Sequence, residues 1–122
     1  NPLGVGVFSA ALKKGMLNTE GYQQMIDVTT QVNCTGPTLS SMPDIHAMTD
    51  VTGFALLGHL LEICRGSQLH AQIEFQHIPF IAQALQLAQE GYATGAAERN
   101  WTSYSESIIL GKISWHLIKT HF

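Results

Sequence analysis

The stretch HAMTDVTGFALLGHLLEICRGS, residues 46–67, puts a carboxylate, a Thr-Gly pair and a long apolar helical pattern in that order. Residues 45–50 read as a short strand and residues 53–65 as a helix. Phe54, Leu57, Leu61 and Cys64 make one stripe of that helix, and Leu56, Leu60 and Ile63 make a second. Two apolar stripes predict burial around most of the circumference, with His59, Glu62 and Gly66 on the polar side. Arg65 suits the negative end of the helix dipole, and Gly66 suits a left-handed C-terminal cap.

Asp50 stands where strand gives way to helix. A helix N-terminus offers unpaired N–H groups and a positive dipole end, beside which a carboxylate can hold a hard cation. Magnesium takes one or two protein carboxylates and completes its shell with phosphate oxygens and water. Thr52 is placed to cap the helix, and Gly53 leaves room for an approaching phosphate. The competing reading makes Asp50 or Thr52 a plain helix cap, and spacing alone favours that reading. One carboxylate makes no metal site, and nearby Asp44 falls in a loop.

Outward from this stretch, residues 1–8 (NPLGVGVF) read as a strand weakened by Gly4 and Gly6. Residues 9–14 read as a short helix ended by Gly15, and Asn18 caps a second helix reaching about residue 32. Tyr22, Met25, Ile26 and Thr29 share a face of it and read as core. Between Cys34 and Pro43 the chain is either a loop or one or two helical turns opened by Gly36-Pro37. Residues 69–75 read as a strand. Pro79 then starts a helix with the stripe Phe80, Ile81, Ala84, Leu85 and Ala88, ended by Gly91. Residues 92–104 read as loop and residues 107–110 as a last strand. The order predicts an α/β (α+β) domain with a mixed sheet and packed helices.

The chain has 122 residues, enough for one modest core; 45% are apolar, so it should fold. Only 12% are charged, a surface suited to cover by a partner domain or subunit. A net charge of −3, with no basic cluster beyond Lys13-Lys14, argues against a nucleic-acid binder. No apolar run is long enough to span a membrane. The start at Asn1 rather than Met suggests a fragment or a processed chain.

Other chemistry-bearing residues read as structural. Cys34 and Cys64 are two free thiols of a reducing compartment, and Cys64 sits late in a helix, where the dipole disfavours a thiolate. His46, His59, His70 and His77 lack zinc spacing. His59 reads as a surface or interface histidine rather than a base. Gly4-x-Gly6 lacks the third glycine of a phosphate loop.

HAMTDVTGFALLGHLLEICRGS closely resembles the start of the C-terminal domain core of the selenophosphate synthetases (selenide, water dikinases). NPLGVGVFSAALKKG resembles that family's Lys-Pro-Leu-Gly opening of the same domain, and GYATGAAERN its later loop ending in Arg-Asn. The likeness runs over residues 1–110 and stops before GKISWHLIKTHF, residues 111–122, which read as a divergent tail. Asn1 stands for the family's Lys. Ala55 replaces the usual Gly of Gly-Phe-Gly-Leu-Leu-Gly-His, a change expected to favour helix.

The resemblance implies the C-terminal domain of the aminoimidazole ribonucleotide synthetase superfamily, incomplete at its C-terminal end. It implies a cytoplasmic, usually dimeric parent enzyme that makes selenophosphate, AMP and phosphate from ATP, selenide and water. It makes Asp50 a magnesium ligand at the nucleotide phosphates, reversing the preference for a cap. The remaining ligands, the glycine-rich loop and the catalytic Cys or selenocysteine would belong to a missing N-terminal domain. Neither Cys34 nor Cys64 takes that role. The alternative is a non-catalytic remnant or dimerisation module without turnover of its own.

Overall fold

The structure is a computed structural model that describes residues 1–111; residues 112–122, nearly all of the stretch read above as a divergent tail, lie outside the described residues. Six helices occur among the described residues: α1 (Val5–Lys13), α2 (Thr19–Thr30), α3 (Thr35–Ser40), α4 (Ala55–Ser67), α5 (Ala82–Gln89) and α6 (Ala97–Tyr104). Single 3-10 turns lie at Phe75–His77 and Ser105–Ser107.

The core is built by α1 and α5, with α2 across them. Val7, Phe8 and Ala11 of α1 meet Ile81, Ala84, Leu87 and Ala88, all seven buried. This corrects the strand reading of residues 1–8, because the chain enters α1 already at Val5. A short apolar run is ambiguous by period, and only a helix turns Val7, Phe8 and Ala11 to one side. Gly4, at φ 138, makes the entry possible. A Cβ there would lie 2.5 Å from that of Ala84, so the two segments touch backbone against side chain.

Asn18 caps α2 as expected, its side chain accepting the Gly21 N–H at 2.8 Å. The helix ends at Thr30 rather than Val32, and its expected face is only partly used. Leu17, Met25 and Val28 pack on the core, whereas Tyr22 and Ile26 remain exposed. Helix α5 starts at Ala82, after Pro79 and Phe80, because those residues pair with the N-terminal segment. Leu3 N–H donates to the Pro79 carbonyl at 2.8 Å, and Ile81 N–H donates to the Leu3 carbonyl at 2.9 Å.

That parallel Leu3–Phe80 bridge is the only β pairing among the described residues. The expected mixed sheet therefore does not form there. Residues 45–50, 69–74 and 108–110 run without regular structure. A strand exists by pairing its N–H and C=O groups with a neighbour, and no described segment offers these three a partner. The 92–104 loop reading is corrected too, since its second half is α6.

Helix α4 departs furthest from expectation. It begins at Ala55, not Gly53, and runs through Ser67, so the left-handed cap falls on Gln68 (φ 55) instead of Gly66. Its only buried residue is Gly58. The leucines are half-buried, and Phe54 just ahead of the helix is 65% exposed. The burial predicted from two apolar stripes is thus not reached within the described chain. No described helix is long and apolar enough to cross a membrane.

Candidate functional site

Asp50 lies in an exposed, irregular segment three residues before the turn that opens α4. Residues 31–54 are exposed except for Gly36, despite carrying Val32, Leu39, Met42, Ile45, Met48 and Val51. Among the described residues no partner of the Asp50 carboxylate occurs; Thr49 Oγ1 reaches only the Asp50 backbone carbonyl, at 3.4 Å. The cap reading that spacing favoured is overturned, because α4 carries no side-chain cap.

Thr52 is turned to another use. Its N–H donates to His59 Nε2 at 3.1 Å, and its Oγ1 lies 3.2 Å from the same nitrogen. His59, one turn into α4, thereby braces the approach to the helix, with its ring edge-on to Phe54 at 5.9 Å between centroids. The Ala55 N–H closes the turn on the Thr52 carbonyl at 3.0 Å. Ala55 itself sits at φ 58, where a side chain is strained by about 1–2 kcal/mol. The Gly-to-Ala change expected to favour helix thus falls on a left-handed residue, where glycine is the easier occupant.

The turn is held from the far side by α6, which the sequence reading missed. Asn100 Nδ2 donates to the Gly53 carbonyl at 2.8 Å, and Tyr104 Oη donates to the Phe54 carbonyl at 3.2 Å. Asn100 and Tyr104 are four residues apart and so share one helix face. Both are buried, at 8% and 7% exposure. Burial pushes the Tyr104 phenol above its ordinary value of 10.0. Gly58 lets the tyrosine ring lie against α4, since a Cβ there would come within 3.0 Å of Tyr104 Cε1. The only signal for this in the sequence was the spacing of Asn100 and Tyr104 inside a polar stretch.

Gly53 differs from Gly58. Its φ lies outside the left-handed region, and a Cβ there would meet nothing within 4 Å. Neither the backbone nor packing among the described residues requires a glycine at position 53. Gly4 and Gly6, in contrast, have packing reasons: a Cβ at Gly6 would meet Thr94 Cγ2 at 2.6 Å.

The other candidates stay apart. Among the described residues no three His, Cys, Asp or Glu side chains gather as a metal site. His77 pairs with Glu74 at 2.9 Å on the surface. Cys34 and Cys64 are both free thiols. An apolar groove of about 800 Å³ runs between α4 and residues 69–75 and 107–111, lined by Leu57, Leu61, Cys64, Ile73 and Ile108 but not by Asp50.

Residues 1–108 match the family model described as AIR synthase related protein, C-terminal domain. The chain is 50% identical over 106 residues to the selenide, water dikinase of Dechloromonas aromatica, covering 87% of this chain and 30% of that protein. It is 50% identical over 109 residues to the enzyme of the same name from Pseudomonas straminea, covering 89% and 30%. To that of Rhizobium meliloti it is 49% identical over 108 residues, covering 88% and 31%. The chain thus spans about a third of the length of the curated relatives it matches.

Proposed function

This chain belongs to the AIR synthase related protein, C-terminal domain family, and from that membership we propose that it is part of a selenide, water dikinase. The proposed reaction takes ATP, selenide and water to selenophosphate, AMP and phosphate. In this reading Asp50 supplies one magnesium ligand to a nucleotide site. The remaining ligands and the reacting groups lie in parts of the relatives that this chain does not match, in an N-terminal domain.

The observation that carries the reading is an exposed carboxylate with no side-chain partner or capping duty among the described residues, three positions before a glycine whose added Cβ would meet none of their atoms within 4 Å. A lone carboxylate fits the protein's small share of a magnesium–phosphate complex and not a complete protein cage. When bound, the cation would neutralise charge on the phosphoryl groups, whose transfer depends on positioning and electrostatic stabilisation. The chain's own part is to offer one anionic ligand just before a braced turn and to leave space at Gly53 for a phosphate oxygen. The half-covered leucines of α4 suit cover by the N-terminal domain, and a homodimer is the expected assembly. Two free thiols suit a cytoplasmic setting.

The second reading is a non-catalytic remnant or dimerisation module without turnover of its own, and it is kept because the matched stretch makes up about 30% of the relatives. The two readings part in one experiment. Residues 1–108 replace the matching stretch of the Dechloromonas aromatica enzyme, and selenide-dependent ATP turnover is followed against magnesium concentration. Asp50→Ala is expected to abolish turnover at ordinary magnesium while the far-UV spectrum is kept. Unchanged turnover rejects the ligand role. For the chain alone, calorimetry with ATP and magnesium is expected to show no binding heat, and a tight isotherm would reverse that assignment.

A further inference from the structure

The carbonyls of Gly53 and Phe54 each accept a side-chain donor from α6, Asn100 Nδ2 at 2.8 Å and Tyr104 Oη at 3.2 Å. These two bonds both satisfy the carbonyls and fix the direction in which the turn faces. The turn needs orienting. Ala55 is in a left-handed conformation, and such strain persists only where the surroundings over-determine it. Here they do. The Thr52–Ala55 turn bond, the His59 brace on Thr52 and the two α6 donors converge on four consecutive residues. Asn100 is the only buried polar residue among those described, and it spans 47 positions to reach Gly53. A buried amide that left its partner would forfeit a satisfied bond in a site closed to water, which makes the contact directional.

We infer that Asn100, supported by Tyr104, is a positioning residue: it fixes the Gly53–Phe54 peptide and thereby sets where Asp50 presents its carboxylate to a divalent cation. The inference rests on the metal reading of Asp50. Two stretches far apart in sequence, residues 50–59 and 97–104, become one device, in which α6 supports the turn that follows Asp50. Outer groups of this kind tune metal affinity by orienting the ligand. Gly58 belongs to the device because it admits the Tyr104 ring.

The test uses Asn100→Asp, which keeps the shape and removes the donor, and Tyr104→Phe, which removes only the hydroxyl. In the full-length exchange enzyme, Asn100→Asp is expected to raise the magnesium concentration for half-maximal turnover about tenfold, with kcat at saturating magnesium kept. In the 122-residue chain, the Ala55 amide is expected to exchange with solvent about tenfold faster in either variant, while amides of α1 and α5 keep their protection. A purely structural role would lower kcat or loosen α1 and α5 as well. If Asn100→Asp does not fold, Tyr104→Phe decides by the same two readouts. Unchanged half-saturation and unchanged Ala55 exchange overturn the positioning role even when Asp50→Ala shows the metal effect. An inert Asp50→Ala overturns the metal reading, and this inference with it, even when the Ala55 amide has loosened.

Discussion

Helices α1 and α4 are both rich in apolar side chains, α1 the more so, yet they end in opposite states. Helix α1 places Val7, Phe8 and Ala11 in a closed core with α5. Helix α4 has five apolar residues in its first two turns and buries only a glycine. The difference lies in what each meets. Helix α1 faces a helix with alanines at the contact, so the backbones approach and side chains interlock. Helix α4 meets α6 through the Tyr104 ring at Gly58 and through two hydrogen bonds to the turn just ahead of it. One half of the chain is organised by apolar burial, and the other by polar ties around a strained turn. Apolar supply predicts how much surface wants cover, not whether the described chain contains the cover.

Four measurements sharpen or break that contrast. Phe8→Ala should cost about 3–5 kcal/mol in urea unfolding, against roughly 1 kcal/mol for the half-buried Leu61→Ala. Equal costs would mean that α4 is as well packed as α1. Gly58→Ala should cost about 1–2 kcal/mol by pushing against Tyr104 and Phe54, and should loosen α6 amides before those of α1. Uniform loosening would deny that the two halves open separately. Ala55→Gly should stabilise by about 0.5–1 kcal/mol, since glycine adopts the left-handed turn freely. A loss of stability would show that the turn is not strained. The smallest effect is a pH dependence. The folded-state Tyr104 phenol titrates above its ordinary 10.0, so its contribution is full below that pH and is lost as pH rises through the folded value. The decline should be absent from Tyr104→Phe, and its persistence there would place the titration elsewhere.

Much of the packed half was legible. The Asn18 cap, the turns at Gly15 and Gly91 and the burial of Ala84 and Ala88 follow from local chemistry that needs few distant partners, whereas Phe80 and Ile81 precede α5 and the buried Leu87 was not in the expected stripe. The α1 entry was not legible, because NPLGVGVF satisfies two periods and only the Gly4–Ala84 approach decides between them. Around Asp50, the residue that the sequence singles out, the local contacts were misread. Thr52 has a cap's identity, but its N–H meets His59, a contact across seven residues that no propensity encodes.

By itself the sequence determined the family, through residues 46–67 and their companions, and with it Asp50 as the residue to question. Motifs are contiguous, and residue identity survives without coordinates. Only the tertiary structure decided that Asp50 caps nothing, that Ala55 is left-handed, and that Asn100 and Tyr104 grip the turn. Those facts depend on long-range approach, where a hydrogen bond forms or fails over tenths of an ångström.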